Sequence, residues 1–185
     1  MSLSYDKLME EVLLGISLKE GTGIITHDWA KPHHPTHLIN TPTWSTVNDK
    51  PIIELDGTSE QVLIYSGDAV DLDFTSEDFS IDGWFLFDAI GTREAILNHG
   101  IDDLRGYALY KDANDAIVFE TYQAAATQQT KTADGAISAS TWYYILVVRD
   151  GASVRIYING VDETTTAGTH IDPATTTRQL NIGRA

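Results

Sequence analysis

The chain has no cysteine among its 185 residues. That excludes a disulfide framework and a thiolate metal site, and it leaves the redox compartment open. Basic residues are scarce: 12 Lys and Arg stand against 27 Asp and Glu, for a formal net charge of −15. A surface of that sign repels phosphate backbones and anionic lipid, which argues against nucleic-acid and membrane-surface binding. It suits solubility, a salty habitat or cation binding, and a solvated acidic surface is the plainest reading. No apolar stretch approaches membrane-spanning length, so no membrane insertion is expected. A signal peptide is not expected either. Within Met1–Leu18 the only base is Lys7, with Asp6, Glu10 and Glu11 beside it, and the apolar run Val12–Ile16 is short. Either a signal was removed or the protein is made without one. Helical periodicity is also missing, and Ala124-Ala125-Ala126 is too short to nucleate a helix.

What the chain does have is strand pattern. With 42% hydrophobic residues it can bury a real core. Its length suits one domain, expected over residues 12–185, preceded by a tail or short helix over residues 1–11. The stretch WYYILVVRDGASVRIYINGVD, Trp142–Asp162, holds an apolar strand, a turn at Asp150-Gly151, an alternating strand, and a second turn at Asn159-Gly160. Asn-Gly supplies the positive backbone angles of a tight hairpin. Phe79–Phe87 alternates, with Phe79, Ile81, Gly83, Phe85 and Phe87 on one face and Ser80, Asp82, Trp84 and Leu86 on the other. Further strands are expected at Val12–Leu18, near His37–Ile39, and at Ile52–Leu55, Gln61–Tyr65, Ala95–Asn98, Tyr107–Lys111, Ile117–Tyr122 and Gln179–Ile182. Residues 21–49 read as a long loop. Turn-bounded strands at this spacing predict an all-β, two-sheet antiparallel sandwich. Trp84 and Trp142, inside strand patterns, are expected in the core.

Chemistry-bearing patterns are few. There is no Ser/His/Asp spacing and no phosphate-cradling glycine loop. His27, His33, His34 and His37 cluster in HDWAKPHHPTH, but Pro35 forbids the helix that an H-x-x-x-H zinc site needs. A solvated loop is the expectation there. For a carbohydrate the usual device is an exposed aromatic platform with amides and carboxylates around it, and Trp29, Tyr110, Tyr122 and Gln123 are the candidates. Asp102 and Asp103 are hard oxygen donors on a loop, the chemistry calcium favours. A turn capped by two aspartates is the plainer reading.

The order of motifs resembles one family. LKEGTG (Leu18–Gly23), HLINTPTW (His37–Trp44), ELDGTSEQVLI (Glu54–Ile64) and DFSIDGWF (Asp78–Phe85) come first. AILNHG (Ala95–Gly100), GYALY (Gly106–Tyr110), the Trp142–Val161 meander and LNIGR (Leu180–Arg184) follow. Together they are similar to the laminin-G-like, or concanavalin A-like, jelly roll, in its branch appended to bacterial and viral proteins. The resemblance implies a jelly-roll fold with no catalytic residues. It implies a recognition or adhesion module that binds carbohydrate or protein through rim loops. The alternatives are a structural surface domain of a phage or viral particle, and an atypical glycoside hydrolase. The hydrolases of the superfamily carry Glu-x-Asp-x-Glu on one strand. Here Glu54, Asp56 and Glu60 come closest, with a Gly57-Thr58-Ser59 turn that keeps the three from aligning. The run Asn98–Tyr110 is similar to the pentraxin branch, where an acidic pair at this place ligates calcium, so calcium at Asp102 and Asp103 is the one cofactor implied. The expected setting is extracellular or on a virion surface. The family's final strand has no counterpart after LNIGR, which implies an open sheet edge that Ser4–Glu11 covers, that a second copy pairs across, or that a continuing chain fills; if the chain ends at Ala185, pairing of two copies is the expectation.

Overall fold

The computed structural model describes residues 11–184, so the helix read over Tyr5–Glu11 lies almost wholly outside the described residues. The strands of the first part are β1 (Ile25–His27), β2 (Pro35–Ile39), β3 (Thr43–Val47), β4 (Lys50–Glu54) and β5 (Gln61–Ile64). Next come β6 (Phe79–Leu86), β7 (Glu94–Ile101), β8 (Arg105–Lys111), β9 (Ile117–Gln123) and β10 (Ala126–Thr132). The last are β11 (Trp142–Asp150), β12 (Ser153–Ile158), β13 (Val161–Asp162), β14 (Thr164–Thr166) and β15 (Leu180–Ile182). Every described pairing is antiparallel. The chain divides into two compact units, residues 11–72 with Thr177–Arg184, and Asp73–Thr176.

In the first unit β1, β2, β5 and β15 lie side by side. All four residues of β5 are buried, as are Leu38, Leu72 and Leu180. Strands β3 and β4 form a separate hairpin whose turn residues, Asn48 and Asp49, carry φ of +50° and +61°. The expected strand Val12–Leu18 does not form. Only Ile16 bridges there, to Asp28, while Gly15 N–H donates to the Asp28 carboxylate. The segment is organised by that side chain and not by a ladder.

The second unit is a sandwich. One sheet runs β7-β8-β9-β10-β14 and the other β13-β12-β11-β6. Alternation decides which side chains meet between them. Phe79 of β6 packs against Tyr107 of β8 and Phe119 of β9, with ring centroids 5.6 and 6.0 Å apart. Ile145, Val147, Val154 and Ile156 of the second sheet are buried, none above 1% exposed. Two buried cations hold loops to the layers. Arg149 donates to the carbonyls of Gly151 and Thr75 and to Asp172, and Lys111 reaches the Thr92 carbonyl, Asp115 and Glu94. At Asn159-Gly160, with φ of +52° and +83°, a two-residue turn joins β12 to β13 as the dipeptide predicts.

The tryptophans correct the expectation of a two-sided core strand. Strand β11 is central in its sheet, but only Ile145, Val147 and Arg149 on one face are fully buried. Trp142 is half-buried on the other face, opposite Leu86, and Trp84 is 65% exposed there, opposite Tyr144. Strand β10, not read from the sequence, has polar residues on both faces. Its Thr130 and Thr132 are fully buried because Thr130 bonds His170 and Thr132 takes the Ile117 N–H.

Candidate functional site

Strands β8 and β9 turn Tyr107, Leu109 and Phe119 toward the other sheet. The same period of two turns Ala108, Tyr110, Val118, Glu120 and Tyr122 the opposite way. On that face Glu120 is the hub. Tyr110 donates to its Oε1 at 2.9 Å, Tyr122 to its Oε2 at 2.8 Å, and Gln129 of β10 to Oε1 at 2.8 Å. Register places Gln129 directly opposite Glu120. Glu120, Tyr110 and Tyr122 are 9%, 8% and 1% exposed, so the cluster is closed to a ligand as it stands. Burial first, then the Glu120 carboxylate, raises both phenols well above their usual range, which keeps them neutral donors. The Arg93 guanidinium caps the Tyr110 ring at 4.0 Å. Sequence reasoning picked out both tyrosines and missed Glu120. The available signal was its place two residues before Tyr122, on the same strand face.

The β7–β8 turn lies at the rim of this sheet. Asp103, at φ +54°, accepts the Ala125 N–H through its carbonyl at 2.9 Å and the Thr127 hydroxyl through its carboxylate. The Asp102 carboxylate is 3.9 Å from the Arg93 guanidinium and also acts on the Tyr122 hydroxyl. The two acidic side chains therefore face different partners. Among the described residues no three His, Asp or Glu side chains converge for a metal ion. Gln123 donates to the carbonyls of Ile171 and Asp172 at 3.1 Å each. Ala174 N–H donates to the Tyr122 carbonyl and Gly106 N–H to that of Ala174. The β7–β8 turn, the β9–β10 turn and the segment 171–174 are thus braced together. They display Ile101, Leu104 and Ile171 at 36%, 37% and 54% exposure.

Trp29 stands in the first unit, 45% exposed, with its indole over Gly15 so closely that no Cβ fits there. The Trp29 backbone N–H donates to the Gly15 carbonyl at 2.8 Å. Of the sequence candidates, then, Tyr110, Tyr122, Asp102, Asp103 and Gln123 share one sheet and its rim.

The other carboxylates are tied down. Asp56 Oδ1 accepts the backbone N–H groups of Thr58, Ser59 and Glu60, and Oδ2 accepts the Thr58 and Ser59 hydroxyls. Glu60 returns the contact by accepting the Asp56 N–H at 2.9 Å. The N–H groups of Glu60, Thr58 and Ser59 hold the Asp56 carboxyl far below the ordinary carboxylate range. This is a turn clasp, not an acid–base pair.

The histidine loop also departs from the solvated reading. His34 is buried, with Nδ1 2.6 Å from Asp28 Oδ2 and Nε2 2.8 Å from Asp71 Oδ1. Asp28 additionally accepts N–H groups from Gly15, Ala30 and His34. Burial pulls the imidazole pKa down, but the hydrogen bonds and charges of Asp71 and Asp28 outweigh it and the net shift is upward. His170 shows the opposite case. It is buried between the Thr121 and Thr130 hydroxyls, and desolvation, with Arg149 near, lowers it to about 4.

The profile of the concanavalin A-like lectin/glucanases superfamily, in its laminin-G form, matches residues 56–185, more than half of the chain. The chain belongs to that superfamily. Its fold class, an all-β antiparallel jelly-roll sandwich of concanavalin A type, is the one read from the sequence. No curated protein matches the sequence. Solved structures do. The receptor binding domain of botulinum neurotoxin D matches at TM-score 0.72 and 13% identity, over 95% of this chain and 45% of that one. A botulinum neurotoxin type C structure, described as showing cell entry dependent on two ganglioside molecules, matches at 0.70 and 13%, over 97% and 44%. The botulinum neurotoxin DC binding domain in complex with rat synaptotagmin II matches at 0.64 and 12%, over 92% and 43%. The chain spans less than half the length of these structures. At such identities the likeness is one of fold.

Proposed function

We propose that this chain is a non-catalytic recognition module of the concanavalin A-like superfamily, engaging a glycan or a protein ligand at the rim formed by the β7–β8 turn, the β9–β10 turn and residues 171–174. The observation that carries this reading is the bracing of those three segments, which holds exposed Ile101, Leu104 and Ile171 in fixed places beside Asp102. A preformed surface binds without paying for loop ordering, and exposed aliphatic side chains ringed by polar groups are the usual make-up of a recognition surface. The tying-down of Asp56, Glu60 and Glu120 supports the absence of catalysis, because glycoside hydrolysis needs two carboxyl groups facing one bond. The superfamily relationship and the ligands of fold neighbours, gangliosides and synaptotagmin, support a ligand outside the cell or on a particle surface. The same reading gives calcium at Asp102 and Asp103 a secondary part.

A glycan array and a binding screen on cell surfaces test the proposal, with wild type compared with a Leu104→Ser, Ile171→Ser double variant. Loss of at least one array or cell-surface ligand in the variant, with unchanged melting and with any neutral oligosaccharide still bound, is the expected result. Reducing-sugar release from β-glucans above background would overturn the non-catalytic reading. For calcium, a cooperative melt that persists in EDTA and rises only modestly in millimolar calcium is expected.

A further inference from the structure

The outer face of the β6–β11–β12 sheet carries a second feature, apart from the rim. Among the described residues strand β6 is an edge strand, and its outward residues Ser80, Asp82 and Trp84 are all exposed. Across the ladder Trp84 pairs with Tyr144, their rings 5.6 Å apart and inclined at 49°. The Tyr144 hydroxyl donates to Asp82 Oδ2 at 2.8 Å, which fixes the phenol ring and the carboxylate together. On the far side, the Asn159 side-chain oxygen accepts the Tyr144 backbone N–H at 3.0 Å, so an amide is held at the Tyr144 position of the ladder with its own NH2 group not engaged in that bond. Trp84, Tyr144 and Asn159 thus form a row across two strand spacings, roughly 10 Å. One end of that row offers an open indole, its middle a half-buried phenol with an attached carboxylate, and its end an amide.

We infer that this row is a carbohydrate-binding platform, on which a neutral sugar ring stacks on Trp84 while its hydroxyls bond to Asp82 and Asn159. A pyranose has an apolar C–H face and a hydroxyl-bearing edge, and the row has one aromatic face flanked by a carboxylate and an amide. The indole is preorganised at low entropic cost, since it has only two side-chain torsions. Two observations choose this occupant. The first is size. Leu86, Trp142, Tyr144, Leu146, Val148 and Tyr157 on this face are at most half-exposed, so Trp84 is its one widely open hydrophobic side chain apart from Val161 at the margin. A stable protein interface needs about 800 Å² from each partner, much of its centre apolar. A single ring suits a single sugar. The second is charge. Asp82 lies in the row itself, Asp162 on the same sheet is matched by Arg155 at 3.6 Å, and the chain as a whole carries −15, which opposes sialylated or sulfated glycans and leaves neutral ones.

The inference goes beyond the rim reading and stands or falls separately from it. The test is a panel of neutral oligosaccharides (gluco-, manno-, xylo- and chito-series) with sialylated and sulfated counterparts, read by affinity electrophoresis and titration calorimetry on the full chain. Wild type is expected to retain at least one neutral series. Trp84→Ala is expected to weaken it tenfold or more with an unchanged melting temperature, Trp84→Phe to retain part, and Asp82→Asn to weaken it less. The rim double variant is expected to bind as wild type does. Equal binding by wild type and Trp84→Ala overturns the inference, as does a preference for anionic glycans or a failure of every neutral series to bind. Loss in the rim variant with retention in Trp84→Ala overturns it while leaving the rim reading intact.

Discussion

Two sheet faces of the second unit carry aromatic residues by the same alternation, and they end in opposite conditions. On the β8–β9–β10 face, Tyr110 and Tyr122 spend their hydroxyls on Glu120 and are buried. On the β6–β11 face, Trp84 stands open beside a tyrosine already bonded to Asp82. Residue type does not separate them, since both faces pair aromatic rings with a carboxylate. Strand position does. Strand β9 lies between β8 and β10, so its outward side chains have neighbours on both sides. Among the described residues strand β6 is an edge, so Trp84 has one neighbouring strand there. An aromatic ring becomes available for recognition where the ladder stops.

The largest effect expected from breaking this contrast is at Glu120. Glu120→Ala leaves two buried phenols without their acceptor, at about 1–3 kcal/mol for each orphaned group. Thermal melts should then fall by on the order of 10 °C, with each kcal/mol worth about 2–4 °C at this size. Glu120→Gln, which keeps the volume and one acceptor, should lose less. A variant that melts like the wild type would show that the cluster is not structural.

Trp142 should come next. It is half-buried, so Trp142→Ala is expected to cost about 2 kcal/mol, below the 3–5 kcal/mol of a fully buried ring. A denaturant titration measures it. A loss equal to that of Glu120→Ala would show that the outer face of β11 is covered more fully than its exposure indicates.

A third experiment sharpens the distinction between polar groups that are consumed and those that are open. The His34 pKa is raised in the fold, so the stability it contributes is fully present below the unfolded value of about 6.5 and is lost as pH rises through the higher folded value. The Asp28 carboxyl is lowered, so its contribution is present above the unfolded value of about 3.9 and is lost as pH falls through the lower folded one. Melting temperature followed from pH 3 to pH 9 should therefore decline on both sides of a mildly acidic maximum. His34→Gln should remove the alkaline decline that this pair contributes. An unchanged alkaline limb would contradict the ionised reading of His34.

The smallest effect on stability is expected at Trp84. Trp84→Ala should stay within about 0.5 kcal/mol of wild type, as an exposed substitution does. Its consequence should appear in binding alone.

The alternation of Phe79–Leu86 and the Asn159-Gly160 turn were legible in the sequence because one residue in two, or one dipeptide, carries the signal. Trp84 was assigned correctly to the face of Asp82 and wrongly to the core. A period of two sorts side chains onto faces, but it does not say which strand ends a sheet. Strands β1 and β10 were unreadable for a different reason. The buried residues Thr26, Thr130 and Thr132 are hydroxylic, and they are accommodated by partners far away in sequence, as Thr130 is by His170. His34 was hidden likewise, because Asp28 and Asp71, which make its burial tolerable, lie 6 and 37 residues away. The sequence placed Tyr110 and Tyr122 on one face of β8 and β9 but not their burial, because the Glu120 carboxylate that takes both hydroxyls was overlooked two residues before Tyr122.

The central claim, that a neutral sugar ring is held by the open edge face and not by the closed tyrosine face, is tested most directly by the indole Nε1–H resonances of a ¹⁵N-labelled chain. Its four tryptophans, Trp29, Trp44, Trp84 and Trp142, give one side-chain signal each, and Trp84→Phe assigns the signal of interest. Titration with the neutral oligosaccharide retained best should move the Trp84 signal most, the Trp142 signal less, and those of Trp29 and Trp44 hardly at all. A Trp84 signal that stays in place while the backbone amides of Tyr122 and Gln123 shift would contradict the claim.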